Sequence, residues 1–341
     1  MNFKEFDAII DARTPSEYAL DHIPGAVSAP VLDDAERAEV GTLYKQVSQF
    51  DAKKLGAALI ARNVGRHVEL LFKSKQKSWR PLVYCWRGGK RSGAMAHILR
   101  EIGWDAATLP GGYKAYRKWV VEQLAEVTLD FRVIHGPTGS GKSRLLGTLE
   151  RAGAQVLDLE DLAAHRGSVL GGLPDRPQPT QKWFESSLLE KMNRFEKSKP
   201  VFVEGESKKI GQLQVPEALM ARMRASPCIL LEANLDTRVA LLLDEYRHYL
   251  DGGEALGRQL DCLVALHGRE KIAGWKALAA RGAWPQFVAA LLVDHYDPAY
   301  RRSSAHNFTR LAEARRLKIA SPEESAFSKA GQSLLEEPVP A

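Results

Sequence analysis

The sequence predicts an α/β protein built from two parallel-sheet domains and a mainly helical C-terminal region. Short apolar runs alternate with stretches of helical period through residues 1–125, and the alternation restarts near residue 128. Strands that alternate with helices along a chain usually form a parallel sheet with helices on its faces. A length of 341 residues is enough for two such cores. We therefore predict domains at 1–125 and 126–250, with residues 251–341 completing or bracing the second domain.

The first domain is predicted from three units of strand, turn and helix. An apolar run at 6–11 ends in DAR and is followed by the turn-forming HIPGA. A charged stretch of helical character covers 33–77. The run PLVYC at 81–85 is a second buried strand, and RSGAMAHILREIG at 91–103 has helical apolar spacing closed by glycine. The third unit is DAATLPGGYKAYRKWV, in the order strand, glycine turn, helix.

The second domain begins with the strand LDFRVIH, which leads into GPTGSGKS and the helix SRLLGTLERAG. Further strands are predicted at AQVLDL, KPVFVEG and PCILLEA, separated by helical stretches such as QKWFESSLLEKMNRF and RVALLLDEYRHYL. The pattern predicts a second parallel sheet.

Composition and cysteine usage exclude several classes of protein. No segment approaches eighteen uncharged apolar residues, and the first residues lack the pattern of a secretion signal, so we expect a cytoplasmic chain that does not enter a membrane. Cys85, Cys228 and Cys262 are too few and too scattered for a disulfide framework, and they lack the paired spacing of a zinc site.

A phosphate-binding loop is predicted between the first strand and first helix of the second domain. The residues match the signature G-x-x-x-x-G-K-[ST], in which backbone N–H groups surround an anion at a helix N-terminus. The lysine adds a positive charge, and the final serine hydroxyl is suited to Mg²⁺. The loop consists of Gly136, Pro137, Thr138, Gly139, Ser140, Gly141, Lys142 and Ser143.

The identity of the bound phosphate stays open at this point. Enzymes that hydrolyse a nucleotide usually place an aspartate at the end of a second strand to order the metal, whereas VFVEGES offers Glu204 and Glu206. Either glutamate could orient a metal or a water, or could cap a helix. ATP is therefore one candidate. The Gly- and Pro-rich segment 165–181, with Arg166 and Arg176, is predicted to contact substrate, the alternative being an ordinary connection.

Cys85 is predicted to be a nucleophile. It ends an apolar strand and opens a short loop before a helix, so backbone amides can curl around the sulfur while the helix dipole and Arg91 lower the pKa of the thiol. A buried cysteine more often packs as a small hydrophobe, which fits Cys228 and Cys262, but two glycines and three cations within six residues serve no packing purpose. The anion loop at the cysteine consists of Trp86, Arg87, Gly88, Gly89 and Lys90.

Positive charge is concentrated before this loop. Nine lysines or arginines and one acid, Glu69, lie between Arg62 and Arg91, although the net charge of the whole chain is only +6. Such a run is either a solvated basic face or a contact for a nucleic-acid backbone. The candidate contacts are Arg62, Arg66, Lys73, Lys75, Lys77 and Arg80.

Several motifs resemble known families. DARTPSEYALDHIPGAVSAP and LPGGYKAYRKW resemble the opening and closing signatures of rhodanese domains, and YCWRGGKRSG lies where their active-site cysteine loop lies. Such a domain joined to a GPTGSGKS domain of the P-loop NTPase type resembles the tRNA 2-selenouridine synthase family over nearly the whole chain, as do HRGSVLGGLP and FVEGESKKIG. Two features differ from simpler relatives of the two domains. The first domain has an insert at about 33–77 that an ordinary rhodanese lacks, and the second domain lacks the strand-end aspartate that usually orders the metal.

The resemblance implies a transferase that acts on wobble 2-thiouridine at position 34 of tRNA. It implies S-geranylation from geranyl diphosphate, followed by replacement of the geranylthio group with selenium from selenophosphate, with Cys85 handling selenium. The loop at Gly136–Ser143 would then hold a prenyl diphosphate or a tRNA phosphate rather than ATP, and the basic run and the insert would face the anticodon arm. The implied partners are tRNA and the enzyme that supplies selenophosphate. Two alternatives remain: a rhodanese-type sulfurtransferase coupled to an ATP-binding domain, and a regulatory module that only binds ligands.

Overall fold

The computed structural model describes residues 1–168, 170–173, 175–247, 253–308 and 310–336, and it contains two compact units. The first unit comprises Met1–Leu124 together with Thr180–Glu190, and the second begins at Ala125 and includes the remaining described residues. Most of one helix from the second half of the sequence therefore belongs to the first unit. None of the described helices is both long enough and apolar enough to cross a membrane.

The first unit is built on a four-stranded sheet in which every pair of neighbouring strands is parallel. The strands run in the order β2-β1-β3-β4 and are β1 (Ala8–Asp11), β2 (Val27–Ser28), β3 (Pro81–Tyr84) and β4 (Ala107–Thr108). The helices are α1 (Pro15–Leu20), α2 (Asp34–Gln46), α3 (Gln49–His67), α4 (Lys90–Glu101) and α5 (Gly112–Ala125), and a π-helical turn follows α3 at Val68–Phe72. Buried apolar side chains from β1, β3, α3 and α4 form the core.

The charged stretch predicted as helical at 33–77 is two helices separated by a sharp break. Helix α2 begins at a capping box, in which the Asp33 carboxylate accepts from the amide of Glu36 and the Glu36 side chain accepts from the amide of Asp33. The Ser48 side chain then caps α3. The insert is thus a helical pair, α2 and α3, joined by a tight turn.

The second unit is built on a five-stranded parallel sheet in the order β11-β10-β5-β7-β6. The strands are β5 (Phe131–His135), β6 (Gln155–Leu157), β7 (Val201–Glu204), β10 (Cys228–Ala233) and β11 (Arg315–Ile319), with a small antiparallel pair, β8 (Lys209–Ile210) and β9 (Leu213–Gln214). The helices that precede the C-terminal region are α6 (Lys142–Arg151), α7 (Leu159–Ala163), α8 (Gln181–Met192, largely in the first unit), α9 (Glu217–Arg224) and α10 (Leu235–Glu245). The α/β class with parallel sheets is therefore confirmed in both units.

The C-terminal region is mainly helical, as predicted, but it also supplies an edge strand. Strand β11 pairs with β10, and Leu317 lies opposite Leu231. Leu317 and Ile319 are the two apolar residues of β11, and the charged Lys318 lies between them. The helices of this region are α11 (Gly253–Asp261), α12 (Val264–His267), α13 (Arg269–Ala280), α14 (Trp284–Leu291), α15 (Asp297–Asn307) and α16 (Glu324–Glu336), with a π-helical turn at Leu292–Tyr296 and a 3₁₀ turn at Leu311–Glu313. Helix α16 packs on α6 and the sheet through Phe327, so the region completes the second unit.

Candidate active sites at a cysteine loop and a phosphate loop

Cys85 lies directly after strand β3, in the loop that leads into α4. Its sulfur accepts hydrogen bonds from the Gly89 amide, at 3.3 Å, and from the Ser92 hydroxyl, at 3.2 Å. The residue is 3% exposed, yet it forms part of the wall of an open cleft. Donors that converge on a sulfur at the start of a helix favour its anionic form.

These donors lower the pKa of the thiol. Burial alone would raise the pKa of Cys85, but hydrogen bonds from the Ser92 hydroxyl and from the amides of Ser92, Gly89 and Arg87 outweigh it, so the pKa is lower than usual. Ser92 is fully buried, and the sequence interpretation did not include it. The sequence feature that could have indicated this donor is a serine two residues after the first residue of α4.

Arg91 has a different partner from the one predicted. Its guanidinium forms an ion pair with Glu17, with Nη1 2.6 Å from Oε2. Burial would raise the pKa of Glu17, but Arg91 and the Thr14 amide lower it overall. Of the groups that the sequence assigned to the thiol, the backbone amides lower the pKa of Cys85, together with the Ser92 hydroxyl, while Arg91 pairs with Glu17 and joins the loop to α1.

The glycine turn at the start of α5 holds the cysteine loop in place through hydrogen bonds and close backbone contacts. The amide of Tyr113 donates to the Cys85 carbonyl at 2.8 Å, and the amide of Lys114 donates to the Trp86 carbonyl at 3.0 Å. Gly112 has φ +56°, and an added β-carbon would collide with the Cys85 carbonyl oxygen. At Gly88, with φ +66°, it would lie 2.7 Å from the Leu109 carbonyl oxygen. Close backbone approach therefore requires glycine at both positions.

A buried ion pair supports the same loop from the end of β1. The Arg13 guanidinium and the Asp11 carboxylate are 2.6 Å apart, and both side chains are almost completely buried. The Tyr84 hydroxyl donates to Asp11 at 2.7 Å, and the Tyr113 hydroxyl donates to Asp21 at the same distance. Residues of the opening motif are thus joined to strand β3 and helix α5, which hold Cys85 from both sides.

The predicted cationic residues near this loop are at the surface. Trp86 is 40% exposed, and Arg87 and Lys90 are also exposed. Arg62 pairs with Glu36. The other predicted contacts are likewise exposed: Arg66, Lys73, Lys75, Lys77 and Arg80.

The phosphate loop lies between β5 and α6, as its motif predicts. Gly139 and Gly141 have φ +78° and +85°, and a β-carbon at Gly141 would lie 2.6 Å from the Phe327 ring. The loop therefore needs glycine for both backbone conformation and packing. Lys142 begins α6 and its Nζ donates to the Gly136 carbonyl at 3.1 Å.

Packing around the loop holds its remaining residues. Ser140 is fully buried, while Pro137 and Thr138 are partly exposed. The buried Arg238 guanidinium donates to the Thr138 carbonyl at 2.9 Å and forms an ion pair with Asp297 at 2.6 Å. Arg238 was missed from the sequence because it comes from α10, about a hundred residues later.

Three glutamates lie beside the phosphate loop, and they differ in role. Glu204 accepts from the Glu160 amide at 2.8 Å, so it satisfies a free N–H at the start of α7. Glu160 accepts from the Ser143 hydroxyl at 3.2 Å. A β-carbon at Gly167 would lie 2.6 Å from a Glu206 oxygen and 2.9 Å from a Glu160 oxygen, so these two carboxylates converge on one point.

Burial raises the pKa of both converging carboxyls. Burial followed by the charge of Glu206 raises the pKa of Glu160 to about 8, against an opposing effect of Lys142. Burial also raises the pKa of Glu206, which Lys142 partly offsets. The site thus favours a proton or a cation between the two carboxylates.

Comparison with known proteins identifies the family. A model of the tRNA 2-selenouridine synthase AAA domain matches residues 129–259, and a model of the rhodanese-like domain matches residues 1–118. A Shewanella halifaxensis protein named tRNA 2-selenouridine synthase is 37% identical over 324 residues, which cover 86% of this chain and 87% of that protein. The chain belongs to the tRNA 2-selenouridine synthase family. The protein of that name from Marinobacter nauticus is 32% identical over 329 residues, with the same shares of coverage.

Coverage of other family members is smaller. The chain matches 63% of the length of the Nitrosomonas europaea protein named tRNA 2-selenouridine synthase, at 38% identity over 244 residues, or 70% of this chain. It matches 65% of the Bdellovibrio bacteriovorus protein of the same name, at 39% identity over 252 residues.

The Gly- and Pro-rich segment of this family member contributes to the second site, but its two arginines have partners of their own. Arg166 donates to the Glu245 carbonyl at 2.7 Å and lies over the Tyr246 ring. Arg176 pairs with Asp161 at 2.6 Å. Gly167 is the residue that the structure places against the carboxylates.

An apolar cavity adjoins the phosphate loop. It has a volume of about 50 Å³, and Thr138 of the loop forms part of its wall. Most of the remaining wall is leucine and aromatic side chain from α10, α14 and the helical region: Leu242, Leu243, Tyr246, Leu256, Trp284, Phe287, Leu291, Leu292 and Tyr296. The second site thus combines an anion cradle with apolar space.

Proposed function

We propose that this chain is a tRNA 2-selenouridine synthase that acts on wobble 2-thiouridine. The first half-reaction forms S-geranyl-2-thiouridine from geranyl diphosphate, and the second replaces the geranylthio group with selenium from selenophosphate. The supporting observation is the presence, on one chain, of a thiol with a lowered pKa and a separate phosphate cradle beside an apolar cavity.

We assign geranyl transfer to the phosphate loop. The sulfur of 2-thiouridine attacks C1 of geranyl diphosphate, the C–O bond breaks, and diphosphate leaves while the base loses its N3 proton. The loop amides and Lys142 would bind the departing charge. The apolar cavity at Thr138 supports a prenyl diphosphate over a nucleotide. A ten-carbon chain exceeds its present 50 Å³, so binding requires the surrounding side chains to move outward.

Residues of this site also fit a magnesium ion. The Ser143 hydroxyl and the converging carboxylates of Glu160 and Glu206 are oxygen ligands of the kind that Mg²⁺ accepts together with phosphate oxygens. No group of three or more His, Cys, Asp or Glu side chains within the described residues is arranged to hold a metal alone, so phosphate oxygens would complete the site. Bound there, Mg²⁺ would neutralise charge on the diphosphate.

We assign selenium transfer to the Cys85 loop. A carbon–selenium bond forms at C2 of the uridine, the carbon–sulfur bond breaks, and geranyl thiol leaves; water releases phosphate from selenophosphate. The hydrogen-bond donors that favour the Cys85 anion, together with Arg87 and Lys90, suit a site for selenophosphate. The exposed cations between Arg62 and Arg80 would contact the phosphates of the anticodon arm.

Nucleoside mass analysis of thiolated tRNA incubated with the protein, geranyl diphosphate and selenophosphate tests the proposal. The unmodified chain should produce 2-selenouridine. Cys85→Ala should accumulate S-geranyl-2-thiouridine, whereas Lys142→Ala should fail at geranylation but still convert S-geranylated tRNA supplied to it. Cys262→Ala and Lys197→Ala, at exposed positions, are matched controls. Formation of thiocyanate and sulfite from thiosulfate and cyanide, with ATP hydrolysis and no selenated nucleoside, would instead support a sulfurtransferase.

A further inference from the structure

A large cleft extends from the Cys85 loop along the helical pair α2 and α3. Its volume is about 1090 Å³, slightly above the usual range of small-molecule sites, roughly 300–1,000 Å³. Cys85 and the residues that follow it form one part of the wall, and residues of α2, α3 and α4 form most of the rest. The reactive sulfur and the cleft are therefore parts of one site within the first unit.

Each of the three helices contributes apolar side chains to the cleft. Val40 and Tyr44 contribute from α2, Ala57 and Ile60 from α3, and Ile98 from α4. Small residues on α3 and α4 leave the space between these side chains unfilled: Gly56, Ala57, Ala61, Gly93 and Ala94. Tyr44 is 47% exposed, so the apolar wall is open to a ligand from solvent.

Positive charge is also present in this cleft. Arg37, Lys53, Arg87 and Lys90 line it, and its one lining carboxylate, Glu17, is already paired with Arg91. A site for selenophosphate alone would need the cations and the cysteine loop but no long apolar wall. The combination matches a ligand that carries both a phosphate backbone and a long hydrocarbon group.

We infer that the wall formed by α2, α3 and α4 holds the geranyl chain of S-geranyl-2-thiouridine while the modified base faces Cys85. This inference rests on the proposed function, since that function delivers a geranylated nucleotide to the cysteine loop. It assigns a role to the insert: the helical pair adds to the anion-binding loop the apolar surface that the substrate of the second half-reaction needs. The geranyl group then serves as a recognition element as well as a leaving group.

Ala57→Phe fills the cleft from an exposed helical position and should fold normally. Ala58→Phe makes the same change one residue along α3, at an exposed position outside the cleft lining. Both variants and the unmodified chain are assayed with selenophosphate on two anticodon stem-loop RNAs, one carrying S-geranyl-2-thiouridine and one carrying S-methyl-2-thiouridine. The ratio of kcat/KM for the two RNAs does not depend on the fraction of folded enzyme.

The unmodified chain and Ala58→Phe should prefer the geranyl RNA. Ala57→Phe should lower that preference at least tenfold, mainly through a higher KM for the geranyl RNA. S-geranyl-2-thiouridine nucleoside should also slow iodoacetamide alkylation of Cys85 in the unmodified chain and in Ala58→Phe more than in Ala57→Phe. An unchanged preference, or an equal loss on both RNAs, would overturn the inference and assign the cleft to RNA or to a protein partner. No selenation of either RNA by the unmodified chain would instead reject the proposed function.

Discussion

Removal of the Ser92 hydroxyl should raise the pKa of the Cys85 thiol. The two side chains form a hydrogen bond of 3.2 Å in a buried setting, and a hydrogen bond to a charged acceptor contributes about 1.5–3 kcal/mol. Since about 1.4 kcal/mol corresponds to a factor of ten, Ser92→Ala should lower the ratio of thiolate to thiol at a given pH by about tenfold to a hundredfold.

The rate of iodoacetamide alkylation against pH measures this ratio. Cys228→Ser and Cys262→Ser are introduced first, so that Cys85 is the reporting thiol; burial in any case raises the pKa of Cys228 to about 11. The Ser92→Ala profile should move to higher pH, while the rate at high pH stays similar or increases slightly because a more basic thiolate is more nucleophilic. Ser78→Ala, at an exposed position in the same unit, should not move the profile.

Two results would refute this reasoning. If the profiles with and without the Ser92 hydroxyl coincide, the thiolate does not depend on that hydrogen bond. If Cys85 in the unmodified loop titrates like a free cysteine, the cysteine loop does not stabilise an anion, and its assignment to selenium transfer loses its physical basis.

Three further substitutions test the support of each site. Gly112→Ala should lower the free energy of unfolding, measured in urea, by at least roughly 1–3 kcal/mol, because φ is +56° and the added carbon meets the Cys85 carbonyl. Gly65→Ala should not lower it, because a β-carbon at Gly65 meets no neighbouring atom. Asp11→Asn should lower the free energy of unfolding by roughly 3–5 kcal/mol, because the buried Arg13 guanidinium loses its charged partner. In the unmodified chain the free energy of unfolding of the second unit, measured in urea, should fall as the pH rises from 5 to 9. Glu160→Gln should make this fall smaller.

The sign of the Glu160 effect follows from its pKa. The folded value is about 8 and the ordinary value is 4.5, so the folded state binds the proton more tightly. The stabilisation is complete below about pH 4.5 and is lost as the pH rises through about 8. A stability that rises over this range, a neutral Gly112→Ala or a neutral Asp11→Asn would each contradict the corresponding structural account.

Local sequence pattern predicted the two loops, because each depends on residues that are adjacent in the chain. A short apolar strand, a glycine-containing loop and a following helix specify the phosphate loop and the Cys85 loop without knowledge of distant contacts. The parallel sheets followed from the same alternation of strands and helices. Strand β11 was missed because an edge strand with two apolar residues carries little pattern, and its partner β10 lies about eighty residues earlier.

The charge partners within the sites could not be predicted in this way. Arg91 was assigned to the nearby thiol, but its carboxylate partner Glu17 is 74 residues away in sequence. Glu204 and Glu206 were equivalent as strand-end acids, yet Glu204 caps α7 while Glu206 converges with Glu160. Which acid meets which cation depends on how distant elements pack, and the sequence pattern contains no information on that packing.

The two sites handle negative charge in opposite ways, and this difference explains their residue composition. At Cys85 neutral donors such as the Ser92 hydroxyl favour the anionic form of the protein's own thiol, while Glu17 neutralises Arg91. A directly paired guanidinium would hold the thiolate more tightly and reduce its reactivity. At the phosphate loop the ligand supplies the anion, so Lys142 is kept close to the amide cradle. The neighbouring carboxyls must then be protonated or bound to a cation, since two free carboxylates would repel the diphosphate that we propose as the ligand of this loop.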